Sequence, residues 1–145
     1  MDTNVVKALI FHKIDDTVQL LILKRSNHVK KFPGFEDLPG GKVDTTENIL
    51  SALAREIQEE TQLEVDHINL LSAHIWPEID NPSIQYKEYL FCTHATGYHV
   101  TLNPEEHSSF RWIKLDEINK SSLHPSMKKI ILEHKDKIFD YIKDI

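Results

Sequence analysis

The chain has 145 residues, of which 40% are hydrophobic and 28% charged, and it carries a formal net charge of −6. That length suits one domain with room for a sizeable core, so residues 1–145 are expected to form a single unit. The acidic balance argues against general binding to a nucleic-acid polymer, which needs basic surface, but it leaves room for a small phosphorylated substrate beside a bound metal ion.

No apolar run approaches the length of a membrane span, and residues 1–10 lack the basic start and cleavage site of a secretory leader. The single cysteine, Cys92, excludes an internal disulfide and fits a reducing, cytoplasmic setting with no membrane partner. It sits in an apolar run, which favours a buried structural thiol over a nucleophile. The nine histidines are scattered and form no zinc-binding pattern.

Residues 4–13 and 18–24 are rich in β-formers, and Ile14-Asp15-Asp16-Thr17 between them reads as a hairpin turn. Lys24 and Arg25 close the second strand, where they either meet a phosphate or edge the sheet. Residues 26–37 read as a loop with a turn at Pro33-Gly34, the kind of segment that shapes a pocket. Its Phe32 and Phe35 either stack on a ligand or pack beneath the loop. Gly40 and Gly41 follow in LPGGKV, where glycine lets the backbone approach a ligand closely. Asp44 with Glu47 resembles a capping box, with Thr45 and Thr46 as other caps, and predicts a helix from about Thr46 to Thr61.

Strands are predicted within 64–80, broken at Pro77 and Asn81-Pro82, and from 84–93 past Gly97 to about Leu102. A polar loop at 103–107 and a short strand from Phe110 to Leu115 come next. Apolar residues at helical spacing then predict one helix from about Pro125 to Asp144, covering a face of the sheet. The order predicts an α/β fold, a mixed β-sheet between helices in an α/β/α sandwich.

The helix after the paired glycines carries the chemistry. Glu56, Glu59 and Glu60 fall at i, i+3 and i+4, within a sector of roughly 100°. Runs of Glu on a helix are usually a solvated face. Here, however, Ile49, Leu50, Leu53, Ala54 and Ile57 fill an apolar arc of roughly 140°, and Glu60 falls inside it. Carboxylates at that border need neutralising, and an all-oxygen set suits Mg²⁺ or Mn²⁺.

Gly41, Glu47 and the run Arg55-Glu56-Ile57-x-Glu59-Glu60, ending at Leu63, resemble the Nudix box of the Nudix hydrolase family. Two positions depart: Gln62 stands where the family usually has Gly, and Glu36-Asp37 replaces the common aromatic-Glu pair. Gly closes that helix in a left-handed conformation, which Gln adopts at a cost of about 1 kcal/mol, so a changed helix exit rather than lost chemistry is expected.

The resemblance implies a Nudix-like fold, with Gly40, Glu56, Glu59, Glu60 and Glu106 as metal ligands and Glu59 central. Glu56, Glu59 and Glu106 would be catalytic. Gly41, Glu47 and Arg55 would support the site, Arg55 and Glu47 pairing with each other. Glu106 in EHSSFRW matches best a later acid that family members use as ligand or base, with Glu105 as its alternative. Lys24, Arg25, Phe35 and Lys42 are candidate substrate contacts. The implied activity is Mg²⁺- or Mn²⁺-dependent hydrolysis of a pyrophosphate bond in a nucleoside triphosphate or a related nucleoside diphosphate-linked compound, such as an oxidised nucleotide cleared from the pool. ADP-ribose or dinucleoside polyphosphate hydrolysis, and nucleotide sensing without turnover, are the alternatives. Pairing into a homodimer stays open by analogy with other small sandwiches.

Overall fold

The computed structural model of the protein describes residues 2–145. A hairpin opens it. Strands β1 (Asp2–Ile14) and β2 (Thr17–Arg25) pair antiparallel, Ile14 opposite Thr17, across Asp15 and Asp16. Both aspartates have positive φ (50° and 63°), as the two-residue turn that matches strand twist requires. The remaining strands are β3 (Glu36–Asp37), β4 (Gly40–Lys42), β5 (Val65–Pro77), β6 (Gln85–Ala95) and β7 (His107–Lys114).

The pairing is mixed. Strand β1 runs parallel to β6 along most of its length, while β5 pairs antiparallel with β6 and β7 antiparallel with β2. Beyond the hairpin turn, β1 and β2 part, and β3 and β4 fill the gap. Asp37 pairs with Leu23 of β2, and Gly40, Gly41 and Lys42 pair with Lys7, Val6 and Val5 of β1. The glycine pair is therefore wedged into the middle of the sheet.

Strand alternation divides the core between the two faces. Val6, Ala8, Ile10, Leu21 and Leu23 meet Ala52, Leu53 and Ile57 of α1 (Ile49–Thr61). Leu9, Phe11, Leu20 and Ile22 meet Met127, Ile130, Ile131 and Ile138 of α2 (Pro125–Glu133) and α3 (Lys135–Ile142). This is a mixed sheet with flanking helices, in accord with the predicted fold class.

Several boundaries differ from those read in the sequence. Helix α1 begins at Ile49, capped by Asn48, whose side-chain oxygen accepts the Ser51 N–H at 2.8 Å. Glu47 does accept the Asp44 N–H (2.9 Å), but its carboxylate is also held by Arg55, which keeps 44–47 as a separate turn. The expected loop at 26–37 ends in β3. Strand β6 stops at Ala95, because Thr96 and Thr101 donate their N–H groups to the carbonyls of Glu64 and Thr61. That detour carries Val100 into the core beneath α1. Strand β7 starts at His107 and ends before Leu115, which opens a 3-10 turn to Lys120.

The expected single C-terminal helix is two. The Nδ1–H of His134 donates to the Ile130 carbonyl at 2.8 Å and competes with the helical ladder there. The buried face of α1 is also turned from the one drawn by hydrophobicity alone. Leu53, Ile57 and Glu60 of the predicted arc are buried, but Leu50 is 54% exposed and Ala54 lies outside, while Ala52 and Thr61 take their place.

Candidate functional site

The site forms where α1 crosses the glycine strand β4. Gly40 lies so close to β1 that a Cβ there would stand 2.0 Å from the Val6 carbonyl oxygen, and Gly41 leaves the space that the Glu56 carboxylate fills. The Gly40 N–H donates to Glu60 Oε1 at 2.7 Å. Glu60 is thus in the middle of the buried face of α1, 5% exposed. Burial pushes its carboxyl up to about 8, with Lys7 and the Gly40 N–H only partly opposing and Glu56 and Glu106 adding to the rise. Burial likewise raises Glu56 against the pull of Arg55.

Arg55 is the organising cation. It grips Glu47 with two hydrogen bonds of 2.8 Å, reaches Glu56 at 3.0 Å and Glu59 at 3.3 Å, and donates to the Lys42 carbonyl at 3.1 Å. The paired guanidinium and the Asp44 N–H hold Glu47 down to about 2. Glu59 is the outermost of the three helix acids.

A second cation, Lys7, projects from β1 to Asp37 at 2.9 Å. Burial opposes its charge, yet Asp37 and Glu60 outweigh burial and hold it above its ordinary range. Asp37 is held low by the same pair despite its own burial. Its neighbour Glu36 makes a two-bond pair with Arg111 at 2.6 and 2.9 Å. The two acids at the departing positions thus clamp β3 in the sheet.

The loop before β7 completes the acid cluster. Glu60, Glu106 and His107 each present a possible ligand atom within 4.8 Å of the others. Glu105 is outside that group; its carbonyl accepts the Ser26 hydroxyl at 2.8 Å. His107, which composition and spacing do not single out, is 2% exposed, and burial depresses it to about 4.

Of the candidate substrate contacts, Arg25 and Phe35 are neighbours, the Arg25 N–H donating to the Phe35 carbonyl at 2.8 Å. Lys24 lines a hollow of about 310 Å³ with Glu36, Phe110 and Arg111. Arg25 is occupied: its Nε donates to the Lys31 carbonyl at 2.8 Å and it reaches Asp37 at 3.4 Å. Phe35 is 53% exposed and meets Phe32 edge-on. Lys42 and Lys31 stand 5.8 and 5.7 Å from the centre of the Tyr86 ring.

A mixed sheet between helices, with a glutamate-bearing helix crossing a glycine strand, defines the Nudix class of fold. The chain belongs to the NUDIX domain family, whose pattern it matches over residues 3–134. It is 33% identical over 83 residues to the uncharacterized Nudix hydrolase NudL of Enterobacter sp. (strain 638), a match covering 57% of this chain and 35% of that one. It is 33% identical over 100 residues to a Bacillus subtilis (strain 168) protein provisionally named an 8-oxo-dGTP diphosphatase, covering 69% of this chain and 60% of that one. The chain therefore spans less than two thirds of either curated relative. Among solved structures, the MutT protein from Methanosarcina mazei Go1 superposes with a TM-score of 0.78 at 24% identity, covering 94% of each chain, a likeness of fold.

Proposed function

We propose that the chain is a divalent-metal-dependent pyrophosphohydrolase acting on a nucleoside triphosphate or a related nucleoside diphosphate-linked compound, with clearance of oxidised nucleotides as its setting. The observation that carries this reading is the acid cluster gathered around buried Glu60. Burial raises Glu56 and Glu60, and the charge of Glu106 adds to the rise at both, while the nearby cations are committed elsewhere, Arg55 chiefly to Glu47 and Lys7 to Asp37. Excess carboxylate of this sort, walled by a backbone strand, suits a hard cation. The donor set of Glu56, Glu59, Glu60, Glu106 and the Gly40 carbonyl would hold it. Such a cation, when bound, neutralises the clustered charge of a pyrophosphate and favours attack by water on phosphorus.

The chain's own residues supply the rest. Glu106, exposed on its loop, would take the proton of the attacking water. Arg55 keeps Glu56 turned toward Gly41, and Gly41 keeps that position free of a side chain. Lys42 and Tyr86 offer a cationic and an aromatic surface beside the strand. The single buried cysteine and the absence of any helix long and apolar enough to cross a membrane, among the described residues, are compatible with a cytoplasmic enzyme acting on small molecules.

Phosphate release from a nucleotide panel, with and without Mg²⁺ and with and without added pyrophosphatase, tests the proposal. Turnover should require the metal and fall by orders of magnitude in Glu59→Gln. Detectable nucleotide binding with no turnover on any substrate would instead identify a sensor.

A further inference from the structure

Among the described residues, His107 Nδ1 is the only buried side-chain nitrogen or oxygen without a hydrogen-bond partner. Its nearest acid, Glu60 Oε2, lies 3.8 Å away, beyond hydrogen-bonding distance. The ring is not placed by bonds of its own. It is carried there by backbone: the His107 N–H donates to the Asn103 carbonyl at 2.9 Å, and the preceding Glu106 carbonyl accepts the Ser26 N–H at 2.8 Å. Opposite, Arg25 pairs with His107 where the β2–β7 register shifts. A buried nitrogen left unpaired calls for a partner that the protein atoms do not supply. Ligand atoms of Glu60 and Glu106 lie within 4.8 Å of a nitrogen of this ring.

We propose that His107 Nδ1 is a nitrogen ligand of the divalent-cation site, sharing the ion with Glu60 and Glu106 and tilting the site from Mg²⁺ toward a first-row transition ion such as Mn²⁺. The inference rests on the metal-dependent reading above and adds a ligand to it. Mg²⁺ strongly prefers oxygen and keeps its water, whereas transition ions accept imidazole, so one nitrogen in an oxygen set shifts preference without excluding Mg²⁺. Within this group His107 is the only histidine.

The test uses the full chain loaded with Mn²⁺ and read by pulsed electron paramagnetic resonance. Wild type should show the modulation of a directly bound ¹⁴N, replaced by the ¹⁵N pattern when the protein is grown on ¹⁵N-histidine. That comparison needs no mutant. In His107→Gln the nitrogen signal should vanish and Mn²⁺ affinity should fall by roughly 10- to 100-fold, with Mg²⁺ affinity changed far less. Tight Mn²⁺ binding without nitrogen modulation, or modulation that survives in His107→Gln, overturns the inference and leaves the metal-dependent function standing. Failure of wild type to bind Mn²⁺ or Mg²⁺ at all overturns both.

Discussion

At Gly40 the backbone stands at φ +152°, and a Cβ would meet the Val6 carbonyl oxygen at 2.0 Å and Lys7 Cα at 2.8 Å, neither of which can move alone. Gly40→Ala should therefore destabilise the fold by about 3 kcal/mol or more, measured by urea denaturation. At Gly41 the obstacle is the end of a side chain, Glu56 Oε1 at 2.5 Å. Gly41→Ala should fold with a loss of about 1 kcal/mol or less but bind Mg²⁺ or Mn²⁺ more weakly, which calorimetric titration reads directly. Equal losses of stability in the two variants would contradict this account. The glutamates of α1 were legible because helical spacing alone brings them together. His107 was not, since a lone histidine in a polar loop has no periodicity. Its burial arises only when β7 pairs with β2, far away in sequence.

At the scale of the element, the expected change of helix exit does not occur: α1 leaves through Gln62 in the left-handed conformation that a Gly would take, φ 58° and ψ 19°, with its N–H bonded to the Gln58 carbonyl. A side chain there is strained, and among the described residues no hydrogen bond holds its amide. Gln62→Gly should raise stability by up to about 1 kcal/mol, seen as a melting temperature higher by a few degrees, with turnover unchanged. A lower melting temperature would show that the added freedom of the unfolded chain outweighs the relieved strain. Element types were readable from periodicity, whereas the edges were set by side chains acting across the chain. Arg55 holding Glu47 delays the start of α1, and the ring of His134 divides α2 from α3. Hydrophobicity also misdrew one edge of the buried face of α1, which leaves Leu50 and Ala54 in solvent, whereas Glu60 is buried as its place in the apolar arc predicts.

For the whole molecule, the sheet order was the least legible feature. The parallel β1–β6 pair and the β3–β4 wedge join segments that no local pattern relates. The buried site also gives the protein a pH response. Folded Glu60, at about 8, stands above its ordinary 4.5, so the metal-free fold keeps a proton that the unfolded chain has released. That contribution is full below about pH 4.5 and is lost as pH rises through 8. His107, depressed from 6.5 to about 4, acts in the opposite sense, its contribution being full above 6.5 and lost as pH falls through 4. Between pH 6.5 and 8 Glu60 acts without that opposition. Protein stripped of metal should therefore lose up to about 2 kcal/mol across this interval in denaturant titrations. Added Mg²⁺ or Mn²⁺ should cancel the loss, and Glu60→Gln should remove it. A flat profile in chelated wild type would contradict the burial of an uncompensated carboxyl.

The loop between β2 and β3 is tied at its neck, where Arg25 exchanges backbone bonds with Phe35 and Gly34 and its side chain holds the Lys31 carbonyl. Everything that β3 and β4 bring to the glutamate helix lies past that knot. Doubling such a loop costs only about 0.6 kcal/mol in closure entropy. Mutation is thus free to redraw the outer contour, length and aromatic content of this loop while the reaction bed is inherited unchanged. One scaffold can in this way diverge in what it recognises long before it diverges in what it does.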